Sequence, residues 1–244
     1  MAVSVMVTRS GKSGQQLVEL LKVAGVTSYF IPTLKIQKEA LIISAEDFQQ
    51  AIFVSRNAVK YSLETEQLLK DFLPSQLIAV GSGTAARLEE NGYKEVLVPT
   101  ISNSEGLLAL SQLHNVKGQH ILIVKGVGGR ELLEEKLSER GAICHPLEAY
   151  SRVENEIDES LWQDFLKTKP LSIVTLASGD ALTALNRKLH GSKLKQSLTL
   201  VVASQRIAEL ATTKGFKQVV VVHSASNEAM YKAIISLVNK NPVD

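Results

Sequence analysis

The sequence predicts an α/β protein made of two related halves, each a parallel sheet wrapped by helices. Three observations predict it. Short β-branched runs alternate with helical patterns along the whole chain, which is the arrangement of βα units. Some runs are apolar at every position, as Ile121-Leu-Ile-Val124 is, and this suits strands buried on both faces. The chain also matches itself, unit by unit and in the same order.

The first strand is read at Val3–Thr8. A helix follows over Gln15–Ala24 with Leu17, Leu20, Leu21 and Ala24 at helical spacing, and Gly25 stands where a C-terminal cap belongs. Further strands are read at Ala51–Ser55, Leu77–Val80, Glu95–Val98, His120–Val124, Ser172–Leu176, Leu198–Ala203 and Gln218–Val222, with helical patterns between most of them. In the self-comparison, Val5–Arg9, the helix to Ala24 and Gly25 fall on Ile121–Lys125, the helix Leu132–Arg140 and Gly141. At a second constant shift, Ile52–Ser55 with Ala58 falls on the run ending at Ser178 with Ala181, Val80–Gly92 on Ala203–Gly215, and Ser104-Glu105 on Asn227-Glu228. Any single match has a plainer reading, because every βα unit needs a strand, a turn and a helix. Several in one order, with one small length change, point to a duplication. Two such halves imply a cleft between them, a common place for a ligand.

Composition narrows the function. A length of 244 residues suits two small domains, and 45% hydrophobic residues exclude wholesale disorder. The 27 basic residues nearly balance the 25 acidic ones, which argues against a generic nucleic-acid binder and leaves room for a small basic pocket. A single cysteine, Cys144, excludes an internal disulfide framework and a thiolate metal cluster. His114, His120, His145, His190 and His223 lack ligand spacing, so no metal is expected. No apolar run is long enough for a membrane span, and Met1–Arg9 reads as a strand rather than a signal peptide. The expected location is the cytoplasm.

The turns after the strands hold the candidate chemistry. Gly11-Lys12-Ser13 invites a phosphate-loop reading that fails, because Met6 stands where that motif needs glycine. It reads as a polar strand-to-helix turn, with a helix start near Arg9 and Lys12 that could still meet an anion. Lys125-Gly126-Val-Gly128-Gly129-Arg130 sits at the matching place in the second half and either binds an anion or merely turns. Ser55 or Asn57 caps the next helix or faces a ligand. Ser82-Gly83-Thr84 opens another helix, with Thr84 either inside its first turn or offering its hydroxyl. Ser104 and its repeat partner Asn227 read as helix caps. Tyr150, within Leu147–Arg152, either packs at a domain edge or offers its phenol as a proton or hydrogen-bond donor.

Taken together, these turns resemble the uroporphyrinogen-III synthase family. The resemblance is carried by Val7-Thr-Arg9, Ile52–Val59, Val80-Gly-Ser-Gly-Thr-Ala85, Ser104-Glu-Gly-Leu-Leu108, Val124–Leu133, Gly141-Ala142 and Glu148-Ala-Tyr150, over nearly the whole chain. The chain departs from the family at Ser10, where proline is frequent, at Ala177-Ser178, where Thr-Ser is common, and at Ser204-Gln-Arg-Ile207, where a glycine and Thr-Ala are commoner.

The resemblance implies two flavodoxin-like parallel-sheet domains joined by a two-stranded antiparallel ladder. One domain would be discontinuous, residues 1–34 plus 153–244, the other would span 38–147, and 35–37 and 148–152 would be the linker strands. The implied reaction closes the linear tetrapyrrole hydroxymethylbilane to uroporphyrinogen III, inverting the terminal ring and releasing water, with no cofactor. It also implies a monomer and a transient contact with hydroxymethylbilane synthase. Because the pyrroles supply the nucleophile, the protein needs mainly to hold one conformer, assist loss of hydroxide and shelter a cation. Positioning can supply roughly 7–11 kcal/mol of such a barrier. Tyr150 is expected to assist hydroxide loss and Thr84 to hydrogen-bond beside it. The substrate's carboxylates are expected at Arg9, Ser55, Arg56, Asn57, Ser82, Gly83, Ser104, Lys125, Gly126, Gly128, Gly129, Arg130, Ser178 and Ser204, near strand ends where open α/β sheets bind ligands. The competing reading is a two-domain cytoplasmic binding protein that closes on an anionic small molecule without chemistry.

Overall fold

The computed structural model describes residues 2–42, 47–64, 72–128, 131–167 and 170–240. The chain divides into two units, Met1–Lys35 with Val153–Asp244, and Ile36–Arg152. The first opens with β1 (Ala2–Val7), α1 (Gly11–Val23) and β2 (Thr27–Phe30), and β3 (Leu34–Lys38) leads the chain onward. The second runs through β4 (Gln50–Phe53), α2 (Arg56–Val59), a π-helical turn over Lys60–Glu64, β5 (Gln76–Ala79), α3 (Ser82–Glu90), α4 (Ser104–Leu108), β6 (His120–Gly126) and α5 (Leu132–Glu139). β7 (Ile143–Glu154) returns the chain, and the first unit resumes with α6 (Glu159–Lys167), β8 (Pro170–Leu176), α7 (Gly179–Lys188), β9 (Leu198–Val202), α8 (Gln205–Thr213), β10 (Gln218–Val221) and α9 (Asn227–Lys240).

Each unit has one five-stranded sheet. In the first the order is β10-β9-β8-β1-β2, with parallel pairing throughout. Counted from β1, that is the doubly wound order 2-1-3-4-5. In the second the order is β3-β7-β6-β4-β5, and the pairs from β7 to β5 are parallel. β3 lies beside β7. Asn155 donates its N–H to the Thr33 carbonyl at 3.0 Å, and Glu39 donates its N–H to the Ala149 carbonyl at 3.2 Å.

The apolar runs are strands because both faces are covered. In the second unit, Ala51, Phe53, Leu122 and Val124 pack to one side, while Ile52, Ile121 and Ile123 pack to the other. This is the two-residue period of a strand expressed as two apolar layers. In the first unit, Val5, Met6, Val7, Leu17, Leu21, Phe165 and Ile173 belong to one core.

Helices α1, α3, α5 and α8 end alike. The Gly25 N–H bonds to the Lys22 carbonyl and the Val26 N–H to the Leu21 carbonyl, both at 2.9 Å, which is a Schellman motif. Gly92, Gly141 and Gly215 close the other three with the same pair of bonds, and all four glycines have positive φ, from +73° to +90°.

Four local expectations change. Glu95–Val98 is no strand: Glu95 turns with φ +57°, leaving a single bridge between Ile78 and Leu97. α1 starts at Gly11 rather than Gln15, so Gly11-Lys12-Ser13 is its first turn. Ser104 is the first residue inside α4, because the Asn103 side chain takes the cap and accepts the Gly106 N–H at 2.7 Å. Asn227 opens α9 while Ser226 accepts the Ala229 N–H, since the Asn227 amide donates to the Ser13 carbonyl at 2.8 Å. Among the described residues no helix is long and apolar enough to cross a membrane, and no cluster of three potential metal-binding side chains occurs.

Leu21→Ala, at a fully buried position, is expected to cost about 2–5 kcal/mol in urea unfolding. Gly25→Ala, with open space around its new methyl group, is expected to cost about 1 kcal/mol through its left-handed backbone alone.

Candidate functional site

In the second unit, β6 has β7 on one side and β4 on the other. The chain leaves β6 through α5 toward β7 and leaves β4 through α2 toward β5, so the two connections diverge at the boundary of β6 and β4. Open α/β sheets bind ligands outside the carboxyl ends of their strands at such a switch point. There a pocket of about 220 Å³ is lined by Val54 and Ser55 after β4, Ile123, Lys125, Gly126 and Gly128 at the end of β6, Leu133 and Glu134 of α5, Tyr150 and Arg152 of β7, and Ser104. Pockets for whole drug-sized ligands run from about 300 to 1,000 Å³, so this one suits one end of a larger molecule.

A slip in strand register builds its centre. β6 and β7 pair in step from His120 with Ile143 to Lys125 with Glu148, and then Gly126 opposes Tyr150. Ala149 is passed over, and Ala149 and Tyr150, at 0% and 2% exposure, both pack in the layer that holds Ala51 and Val124. The Tyr150 ring lies against Gly126: a Cβ at that position would sit 2.6 Å from the ring's Cζ. No residue with a side chain can occupy 126 unless the ring moves. Tyr61 flanks the ring at 6.0 Å between centroids, and the Arg152 guanidinium lies 5.7 Å from the ring centroid, within cation–π range. The phenol oxygen is 3.0 Å from Ser55 Oγ.

Ser55 ends its strand in extended conformation and caps α2, its Oγ accepting the Ala58 N–H at 3.0 Å. Of the two capping choices open in the sequence, Ser55 takes the role, and Asn57 lies inside the short helix. Lys125 Nζ meets Glu134 Oε1 at 2.5 Å, with the two side chains only 12% and 23% exposed. Partial burial makes either charge costly to leave alone, so the pair holds the ammonium at the pocket wall. The Gly128 N–H points to the Glu148 carboxylate at 3.4 Å, and Gly128 has φ +68°. Burial pushes the Cys144 thiol up from its ordinary pKa and the Glu134 carboxylate adds to this, so it is a poor nucleophile.

The pocket thus gathers Ser55, Ser104, Lys125, Gly126, Gly128 and Tyr150 from the expected set. Arg56 is exposed, with its Cδ 3.6 Å from where a Cβ of Gly83 would stand. Ser82, Gly83 and Thr84 are the first residues of α3, and Thr84 is buried in that turn. Arg9, Ser178 and Ser204 belong to the other unit. There Arg9 donates to the Ala225 carbonyl at 2.7 Å and to Ser13 Oγ at 3.1 Å, and burial lowers its pKa. Ser178 caps α7 by accepting the Ala181 N–H, and Ser204 stands at the cap position of α8 without a side-chain bond. Gly129 and Arg130 lie outside the described residues.

The family model described as uroporphyrinogen-III synthase HemD matches residues 15–232. The chain belongs to the uroporphyrinogen-III synthase family. It is 27% identical to the uroporphyrinogen-III synthase of Escherichia coli (strain K12) over 245 residues, covering 95% of this chain and 99% of that protein. The uroporphyrinogen-III synthase of Proteus mirabilis is 32% identical over 162 residues, covering 62% of this chain and 80% of that protein. The crystal structure of uroporphyrinogen-III synthetase from Helicobacter pylori 26695 shares the fold, with a TM-score of 0.68 at 18% identity over 98% of this chain and 100% of that one.

Two charged residues of this family member's pocket are absent from the sequence-based set, Glu134 and Arg152. Glu134 lies in a helix rich in glutamate, and nothing local distinguishes it from Glu135 beside it. Arg152 stands two residues beyond Tyr150, and strand alternation could have nominated it, but the slip at Gly126 decides which way that segment faces.

Gly126→Ala is expected to cost about 1–3 kcal/mol by overpacking. In a double-mutant cycle, Tyr150→Ala removes most of that cost, because the clash is with the ring. Thermal and urea unfolding of the four proteins measure the coupling.

Proposed function

We propose that this chain converts hydroxymethylbilane to uroporphyrinogen III with release of water. The observation that carries the reading is a phenol fixed at the carboxyl ends of β6 and β4, beside a lysine and an arginine, in a chain that belongs to this family over residues 15–232. The pocket size suits the reacting end of a tetrapyrrole.

The Tyr150 phenol protonates the terminal hydroxyl as its C–O bond breaks, and water leaves. The resulting azafulvenium cation is attacked by the last pyrrole at its substituted α-carbon, giving a spiro intermediate. That intermediate fragments and closes again with the ring turned over. The ring's free α-carbon gives up its hydrogen on rearomatisation, which returns the proton, so the net loss is one water. General acid assistance of this kind is worth about 10²–10⁴-fold. The other groups serve binding. Lys125 and Arg152 meet substrate carboxylates, with Ser104, Gly126 and Gly128 supplying shorter-range polar contacts, and Arg56, Asn57, Ser82 and Gly83 extend this set in the same unit. Thr84, in the first turn of α3, serves as a second hydrogen-bonding group for the reaction. Arg9, Ser178 and Ser204, with Gly129 and Arg130, complete the proposed carboxylate-binding set.

The same reading proposes residues 1–34 plus 153–244 and 38–147 as domains, with 35–37 and 148–152 as antiparallel linker strands. The bonds Thr33–Asn155 and Glu39–Ala149 support an antiparallel course, since position rises on one strand as it falls on the other. The shared strand orders and the paired Schellman ends, Gly25 with Gly141 and Gly92 with Gly215, support an ancient duplication. A monomer that meets hydroxymethylbilane synthase only transiently completes the proposal.

Incubation with hydroxymethylbilane, oxidation and chromatographic separation of the isomers test it. Isomer III is the expected product, and isomer I alone, at the uncatalysed rate, would leave a binding protein. Tyr150→Phe is expected to lower kcat about 10²-fold. Lys125→Met is expected to raise KM roughly tenfold with kcat within about twofold, the loss of one charge-assisted bond.

A further inference from the structure

We infer that Ser55 is a positioning residue that sets the direction of the Tyr150 proton, as the middle link of a one-way hydrogen-bond chain rooted in the backbone of α2. The inference rests on the acid role proposed for Tyr150.

The chain begins at the Ala58 N–H, which can only donate. It donates to Ser55 Oγ at 3.0 Å, and Ser55 Oγ lies 3.0 Å from the Tyr150 phenol oxygen. A serine hydroxyl has one proton and two lone pairs. With one lone pair taken by Ala58, two arrangements remain between the hydroxyls. If Tyr150 donates to Ser55, the phenol proton is committed to the serine and the serine proton needs another acceptor. If Ser55 donates to Tyr150, every donor in the chain points the same way, and each bond polarises the next. The phenol proton then faces the pocket that Tyr150 lines with Lys125 and Arg152.

This order also suits the chemistry. When the substrate's C–O bond breaks, the phenol proton passes to the departing hydroxyl and water leaves. The phenolate left behind already accepts the Ser55 proton, and that bond tightens as charge develops. Rearomatisation of the terminal pyrrole returns a proton to Tyr150, so Ser55 ends as it began and no further reagent is needed. The geometry is held from three strands. β4 delivers Ser55, β7 delivers Tyr150, and Gly126 of β6 between them leaves room for the ring.

Kinetics of Ser55 variants in the isomer assay test the inference, because glycine is nearly as good a helix cap as serine yet donates nothing. Ser55→Gly is expected to keep the unfolding midpoint within about two degrees while lowering kcat about tenfold, with KM within about twofold. Ser55→Thr, which keeps both the cap and the donor, is expected to recover kcat to within about threefold. Ser55→Ala combined with Tyr150→Phe is expected to be no slower than Tyr150→Phe alone, because the chain then has no phenol to act through. Wild-type production of isomer III together with a wild-type kcat for Ser55→Gly overturns this inference alone. So does a tenfold further loss when Ser55→Ala is added to Tyr150→Phe. Production of isomer I alone by the wild-type protein overturns the enzymatic reading and this inference with it.

Discussion

The slip between β6 and β7 at Lys125 and Gly126 is the constraint on which the pocket depends. In a regular parallel pair, side chains alternate between faces, and a tyrosine that follows a buried alanine would point to the opposite layer. Passing over Ala149 lets both residues pack into the same apolar layer, and irregularities of this kind near active sites serve to re-aim a side chain. The neighbouring features follow from it. Gly126 must lack a side chain because the ring lies on it, Ser55 meets the phenol from β4, and Arg152 continues the strand beside the ring.

Charge is arranged as economically as the backbone. A protein with a net charge of +2 cannot hold a polycarboxylate by bulk attraction. The pocket instead presents a lysine held by Glu134, an arginine near the phenol and short polar groups at strand ends. Partial burial of the Lys125–Glu134 pair raises the effective strength of each charge and also the cost of losing either partner. Glu134 therefore keeps the ammonium in place at the pocket wall. Cys144, with its thiol pushed up by burial, fits a reaction whose nucleophile comes from the substrate's own pyrrole.

The fold was largely legible in the sequence. The apolar run Ile121–Val124 reads as a doubly covered strand because its two faces meet two different apolar layers. Gly25 and its partners read as helix ends because only a left-handed residue allows both closing bonds. Errors fell where local competition decides. Glu95 adopts a left-handed turn that β-branched neighbours do not predict, and Asn103 takes a cap that Ser104 could equally have formed. The site was legible in part. Ser55, Lys125 and Gly126 stand near strand ends, a position that sequence patterns can locate. Thr84 was ambiguous because a hydroxyl in a first helical turn looks the same in sequence whether it is buried or open, and in the fold it is buried. Arg9 reads as a cation at a strand end that could meet an anion, and in the fold its guanidinium donates to the Ala225 carbonyl more than two hundred residues away.

By itself, the sequence determined most of the strands, the glycine-closed helix ends, the two-unit α/β plan and the family, because these depend on periodicity, on glycine's backbone freedom and on motifs read a few residues at a time. Only the tertiary structure decided that Tyr150 lies on Gly126 and reaches Ser55, and that Lys125 is held by Glu134. Those contacts join β4, β6, β7 and α5, and the slip that aims Tyr150 exists only once β6 and β7 are paired.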